Sequence, residues 1–178
     1  SKVTGLVDKG ADKGALILTE RTLKDAESGL DLATLTSTTF ARGNGGYDGP
    51  SDEAPRPHKV PEREPDFSVD LTTLDMAALI YRLSGDYNPL HASPSVAKAA
   101  GFPKPILHGL CSLGVAGHAI LKGCCDYDAK RLKSLQLRFS SPVYPGETMR
   151  TEIWRDGANI SFKSKIVERD VVVLDNGH

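Results

Sequence analysis

Gly109-Leu110-Cys111-Ser112-Leu113-Gly114-Val115-Ala116-Gly117-His118-Ala119-Ile120-Leu121-Lys122 decides the fold. The stretch is built of Leu, Val, Ile, Ala, Ser, Cys and Gly and carries one full charge, at its last position. It predicts a long helix, about 109–122, apolar almost all round and therefore buried. Gly114, Ala116, Gly117 and Ala119 allow a neighbour to pack close to its backbone. Downstream of Asp126-Tyr127-Asp128 the pattern turns to strands, at 132–139, 147–154, 159–167 and 170–174. Pro142, Pro145-Gly146 and Asp156-Gly157 mark the turns between them. A helix followed by an antiparallel meander predicts an α+β fold, with a sheet wrapped around one buried helix.

Upstream of the helix, Phe102-Pro103-Lys104-Pro105 reads as a stiff extended stretch. Pro94 to Ala100 predicts a short helix stopped by Gly101. Before it, Leu74, Ala77, Ala78 and Tyr81 fall at helical spacing, so a helix is expected from about Leu71. Thr72 or Thr73 would cap it and Gly85 would end it, leaving 84–91 as a polar loop. Residues 42–69 crowd together Gly43, Gly45, Gly46, Gly49, Pro50, Pro55, Pro57, Pro61 and Pro65, the composition of a linker or surface-hugging loop. Residues 3–41 read as β structure. Strands 15–23 and the Thr-rich 32–40 form a hairpin around Asp25-Ala26-Glu27-Ser28-Gly29, with Val3 to Asp8 as a candidate third strand. The expected organisation is 1–45, a β-rich segment; 46–70, a Pro/Gly-rich linker; and 71–178, the main α+β unit.

Composition narrows the field. Among 178 residues, 22 basic and 23 acidic side chains nearly cancel, without the basic stripe that nucleic acid calls for. No apolar run reaches the roughly 18 residues that cross a bilayer, so neither nucleic acid nor membrane is an expected partner. Cys111, Cys124 and Cys125 make an odd set, a poor disulfide framework, which suggests a reducing, intracellular setting. The chain lacks an initiator Met and stops just after Val171-Val172-Val173-Leu174 and four more residues, so a piece of a longer protein is expected.

Two stretches carry chemistry. In Ser84-Gly85-Asp86-Tyr87-Asn88-Pro89-Leu90-His91, a loop bent at Gly85 and Pro89 brings a carboxylate and an imidazole toward one point. Such a pair around one water can take a proton and return it. The Asn88 amide can hold the loop or a substrate. The alternative is a helix C-cap and an Asn-Pro turn, with His91 on the surface. In Pro105-Ile106-Leu107-His108-Gly109-Leu110 the buried helix begins, and its first amides have no internal acceptor. Such amides can donate to a developing oxyanion. The alternative here is a tight junction at Gly109 with His108 as a packed support.

Together, Tyr81-Arg82-Leu83-Ser84-Gly85-Asp86-Tyr87-Asn88-Pro89-Leu90-His91 and Phe102-Pro103-Lys104-Pro105-Ile106-Leu107-His108-Gly109 closely resemble the signature of the hydratase 2, or MaoC-like, hot-dog family. That family includes the hydratase part of peroxisomal multifunctional enzymes and bacterial (R)-specific enoyl-CoA hydratases. Arg138-Phe139-Ser140-Ser141-Pro142-Val143-Tyr144-Pro145-Gly146-Glu147-Thr148 also fits. The resemblance covers about 71–174, with 1–45 similar to the closing strands of the family's first hot-dog half. It implies a complete C-terminal hot-dog and a partial N-terminal one. It implies Asp86 and His91 as the catalytic pair, Asn88 as their supporting amide and the Gly109 N–H as oxyanion donor. The implied reaction is hydration of a trans-2-enoyl-CoA to a (3R)-hydroxyacyl-CoA in fatty-acid or steroid side-chain metabolism. No cofactor or metal is implied, since CoA enters with the substrate.

Rival readings are a dehydratase running the reverse reaction on a carrier-bound thioester and, in another class, a hot-dog thioesterase. Lys104, Arg42 and Arg138 are candidates to meet CoA phosphates, set against ordinary surface charge. His58, His91, His108 and His118 do not have zinc spacing. The resemblance departs at the front, where the strands before the linker have no helix to wrap. Leu16, Leu18, Leu32 and Phe40 are expected on an open face, covered by a missing N-terminal segment or in a homodimer. A cytoplasmic location is expected, or a peroxisomal one in a eukaryote.

Overall fold

The structure is a computed structural model that describes residues 1–51 and 56–178. Pro55, counted above in the linker, lies outside the described residues. The chain divides into two compact units, Ser1–Arg56 and Pro57–His178.

The first unit is one antiparallel sheet in the order β1(Lys2–Asp8), β2(Ala15–Lys24), β3(Asp31–Ala41). Thr-rich β3 pairs with β2 along its length, from Ala15 opposite Ala41 to Lys24 opposite Asp31. The Asp25–Gly29 turn is held by Asp25, whose carboxylate accepts from the backbone of Glu27 and Ser28. At the other end the buried Asp8 carboxylate accepts from Gly10 N at 2.8 Å and Gly46 N at 2.7 Å. Those bonds, the Gly46 one first, hold its pKa below the usual carboxylate value and tie the glycine-rich segment to β1. Leu32 and Phe40 are exposed, whereas Leu16 and Leu18 are half-buried.

The second unit has a five-stranded antiparallel sheet in the order β4-β6-β7-β8-β5. Its strands are β4(Phe67–Thr72), β5(Arg138–Phe139), β6(Thr148–Asp156), β7(Asn159–Ile166) and β8(Val171–Gly177), and its long helix is α3(Gly109–Cys124). Met149, Ile153, Phe162, Ile166, Val173 and Leu174 on the sheet close with Ala116 and Ile120 of α3 into one core. The alternation of buried and less buried residues along β6 and β7 is the period of a one-sided sheet. Phe162 is fully buried at its centre. Phe162→Ala is expected to lower the unfolding free energy by about 3–5 kcal/mol through the cavity it leaves. Urea titration of the two proteins checks this.

Three expectations change. First, the helix expected from Leu71 is shorter, because Phe67–Thr72 is an edge strand on β6 and α1 covers only Ala77–Tyr81. Thr73 caps no helix; its hydroxyl donates to the Glu147 carbonyl and accepts from Gly146 N, pinning the end of β4 to the loop before β6. The run of Phe67, Val69 and Leu71 has strand period, and sheet pairing outweighs the helical spacing that starts at Leu74. The linker expected over 46–70 accordingly ends before Phe67. Even 57–66 is tied down, since Trp154 Nε1 donates to the Arg63 carbonyl at 2.7 Å and Arg63 pairs with Asp66. That guanidinium, with the Arg155 amide, pulls the Asp66 pKa down to about 2.

Second, the strand expected at 132–139 shrinks to Arg138–Phe139. Leu132, Leu135 and Leu137 pack on the core, and Gln136 pairs with His178 outside any regular strand.

Third, α3 is not buried all round. Ser112, Ala116, Ala119 and Ile120 face the sheet, while Leu110, Gly114, His118 and Lys122, four apart, form an exposed stripe. Its small residues do permit close approach. A Cβ on Gly123 would lie 2.7 Å from the Phe67 ring, and one on Gly117 would lie 3.3 Å from Leu135. Among the described residues no helix is long and apolar enough to cross a membrane.

Candidate active site

Asp86 and His91 come together because the chain turns twice. After α1 a short 3-10 turn, Arg82–Ser84, ends at Gly85, whose φ of +106° is a left-handed conformation that favours glycine. Asp86 follows at once. Its Oδ1 accepts from Asn88 N at 3.2 Å, and Asn88 Oδ1 accepts from Leu90 N at 3.0 Å, opening the 3-10 turn Pro89–His91. Asn88 therefore holds the loop, with Pro89 fixing the backbone where that turn starts. α2(Pro94–Ala99) continues the chain away from the site.

The buried His91 donates from Nδ1 to the Ile106 carbonyl at 2.8 Å. A carbonyl only accepts, so this bond puts a proton on Nδ1, and in the neutral ring Nε2 keeps its lone pair.

His108 joins the two halves of the site. It is 1% exposed, its Nε2 donates to the Asp86 carbonyl at 3.2 Å, and its ring stacks on His91 at 3.7 Å between centroids. Tyr81 lies against the same ring at 4.7 Å. Ring nitrogens of His91 and His108 and a carboxylate oxygen of Asp86 lie within 4.8 Å of one another. The reading from sequence offered His108 only as a packed support beside Gly109; its bond to the Asp86 carbonyl and its stack on His91 appear only in the structure. The three donors also have the makeup of a metal site. However, the imidazoles are inclined by only 25° and stacked, so their in-plane lone pairs run side by side rather than converge. The arrangement suits proton transfer better than coordination.

Gly109 is the first residue of α3, and His108 before it is extended and gives no side-chain cap. The Gly109 N–H belongs to the first turn, where no intrahelical acceptor exists. Among the described residues it makes no hydrogen bond to backbone or side chain. A Cβ at this position would lie 3.3 Å from the Phe139 ring. Cys111, in the same turn, is half-buried, and burial pushes its thiol pKa up, away from a reactive thiolate.

Burial, ahead of every other cause, lowers the His108 pKa below its ordinary 6.5; neighbouring His91 lowers it further, and the bond to the Asp86 carbonyl opposes this. The folded pKa thus lies below the unfolded one, and the unfolded chain binds the extra proton. Stability from this group is complete above 6.5 and is lost as pH falls through the folded value. The urea midpoint is expected to drop on acidification below 6.5, and to drop less in His108→Phe. An unchanged acid dependence in that variant would assign it to other groups.

The sheet and the helix packed on it define a hot-dog protein, with Asp86, His91 and His108 gathered at the amino end of its long helix. Residues 57–177 match the MaoC like domain. The chain belongs to this MaoC-like family. It is 43% identical over 183 residues to the 3-hydroxyacyl-thioester dehydratase Y of Mycobacterium tuberculosis, covering 99% of this chain and 63% of that protein. It is 41% identical to the peroxisomal enoyl-CoA hydratase 2 of Arabidopsis thaliana, over 97% of this chain and 58% of the relative. A crystal structure of a MaoC-like dehydratase from Phytophthora capsici superposes with a TM-score of 0.84 at 45% identity, over 99% of this chain and 61% of that one. The chain thus spans about three-fifths of the length of these relatives.

Proposed function

We propose that the protein adds water across the double bond of a trans-2-enoyl-CoA to give a (3R)-hydroxyacyl-CoA. The observation that carries this reading is the meeting of Asp86 and His91 within 4.8 Å, with the unclaimed Gly109 amide at the adjoining helix start. Hydration of an enoyl thioester has three needs. The thioester carbonyl must be polarised, water must lose a proton as it attacks C3, and C2 must gain one. The Gly109 N–H meets the first need. The Nε2 of His91 and the carboxylate of Asp86, around one water, meet the other two. Asn88 serves by holding the loop. The reaction uses no cofactor or metal; CoA arrives as part of the substrate. The enoyl-CoA hydratase 2 relative supports this choice of reaction.

The test is a spectrophotometric assay with crotonyl-CoA and a longer enoyl-CoA, following loss of the conjugated double bond and the chirality of the product. An (S) product, or free CoA released without hydration, would replace the reading, the second outcome with a thioesterase. The dehydratase relative favours one further reading, the reverse reaction on a (3R)-hydroxyacyl thioester. Rates in both directions, on CoA and on carrier-protein thioesters, decide between them. The exposed Leu32 and Phe40 on the first unit's sheet support assembly with a further segment or a second copy of the chain. Solution mass measures that.

A further inference from the structure

We propose that Glu147 is a positioning residue for the hydration: through two buried peptide groups its carboxylate holds the Nδ1–H of His91 and steadies the charge that ring takes up. The inference rests on the hydratase reading above and gives a part to a side chain that reading does not use. Glu147 ends the stretch Tyr144-Pro145-Gly146-Glu147 in the loop before β6, and its side chain is only 13% exposed. It acts through His91 alone.

An unbroken chain of hydrogen bonds joins the two side chains. Glu147 Oε2 accepts from Tyr144 N at 2.8 Å. The carbonyl of that same peptide, Val143 O, accepts from Leu107 N at 2.7 Å. The carbonyl of the Leu107 peptide, Ile106 O, accepts from His91 Nδ1 at 2.8 Å. The described peptide bonds are trans. In each group N–H and C=O therefore point opposite ways, and a bond that enters at one leaves at the other. The bonds run head to tail, so each polarises the next in the same direction. Val143, Tyr144 and Leu107 are buried, which keeps water from screening the chain.

The far end of the chain is anchored. Arg169, in the turn between β7 and β8, donates from Nε to Glu147 Oε1 at 2.6 Å and from Nη2 to Oε2 at 2.9 Å. The same Nη2 donates to the Pro142 carbonyl at 2.8 Å, and the Glu147 carbonyl accepts from Thr73 N at 3.0 Å. A brace alone would need no negative charge at Glu147. The chain gives that charge a use. A carboxylate on the Tyr144 N–H makes Val143 O a stronger acceptor, and Ile106 O in turn. When His91 takes a proton from water at Nε2, its ring becomes positive, and the polarised carbonyl at Nδ1 stabilises it. The other titratable groups near His91 are Asp86 and the stacked His108, with Asp75 and Lys104 on the cavity it lines. Among the described residues Nδ1 bonds only the Ile106 carbonyl.

The experiment compares wild type, Glu147→Gln and Arg169→Gln in hydration of crotonyl-CoA and in the NMR resonance of the His91 Nδ1 proton. That resonance is observed with 15N-labelled histidine and assigned by its loss in His91→Gln. Glutamine at 147 keeps the shape and an oxygen for Tyr144 N but not the charge. The outer partner of a metal-bound histidine is worth about 10–100-fold. With two peptides intervening, Glu147→Gln is expected to lower kcat by about tenfold, the low end of that range, with KM little changed. Its Nδ1 proton is expected to move upfield. Arg169→Gln loosens the same loop but leaves the carboxylate on Tyr144 N with less of its charge offset. Its urea midpoint is expected to fall while the Nδ1 proton moves downfield. Unchanged kcat in folded Glu147→Gln overturns the proposal. So do equal losses of kcat in both variants with an unmoved resonance, which would make the pair a brace for the loop. If Glu147→Gln does not fold, Arg169→Gln decides alone: a downfield move upholds the chain, and an upfield or absent move sinks it. If wild type hydrates no enoyl-CoA, the hydratase reading fails separately, and the resonances still decide whether Glu147 acts on His91.

Discussion

Asp86→Asn and His91→Ala are each expected to lower kcat for enoyl-CoA hydration by about 10²–10⁴, the usual loss when a positioned acid–base group is removed. The geometry makes Asp86→Asn a clean test. Asp86 Oδ1 receives the Asn88 amide, and an asparagine oxygen accepts the same bond, so the turn survives. The Asp86 side chain is 53% exposed, so the swap empties no core. What asparagine lacks is basicity, so the loss falls on the proton transfer alone. His91→Ala removes more: the lone pair at Nε2, the Nδ1 bond to Ile106 and the stack on His108. It is expected to cost some stability besides activity, and His91→Gln separates the two effects. Circular dichroism and urea midpoints establish that the folded protein is what is assayed. Near-normal turnover by folded Asp86→Asn on short and long enoyl-CoA would remove Asp86 from the chemistry.

Gly109→Val is expected to lower kcat/KM by about 10²–10³, the usual loss of an oxyanion donor. The Gly109 amide is free because it opens α3, and the residue is exposed. A first carbon at this position already stands 3.3 Å from Phe139 Cε1 and 3.4 Å from Cζ. Valine adds two methyls in the same space, over the amide. Phe139 is 49% exposed, so its ring can move outward without opening the core. Gly109→Ala is therefore expected to fold normally and to lose less activity than valine, because one carbon displaces the ring only slightly. Stopped-flow hydration of crotonyl-CoA by the two variants, beside their thermal midpoints, measures the split. A folded valine variant with full kcat/KM would leave the amide without a catalytic part.

That Asp86 and His91 come together was legible from sequence because their loop encodes its own shape. Gly85 supplies the left-handed turn, Asn88 the cap and Pro89 the fixed φ, all within a few residues. The start of α3 at Gly109 was legible for a similar reason, since the Pro-rich stretch stops where the apolar run begins. The β2–β3 hairpin and the strands at β6 and β7 also followed from local pattern and turn residues. Local sequence, in short range, thus determined the α+β class, the hairpins, the long helix and the loop that bears the pair.

Tertiary structure decided what depends on distant neighbours. Leu71 and Thr72 became strand because β6 offered its edge, with Leu71 opposite Met149 and Thr72 opposite Thr148, and a short stretch takes the conformation whose hydrogen bonds are satisfied. The stripe of α3 at Leu110, Gly114 and His118 stayed exposed although the helix is apolar nearly all round, because the sheet of this unit covers only one side of it. His108 joined the site only through space, bonding to a carbonyl 22 residues away and stacking on His91. Lys104 and Asp75, 29 positions apart in the sequence, line one cavity together with Pro145. No periodicity records such a meeting, because the free energy that fixes it comes from burial and hydrogen bonding between segments far apart along the chain.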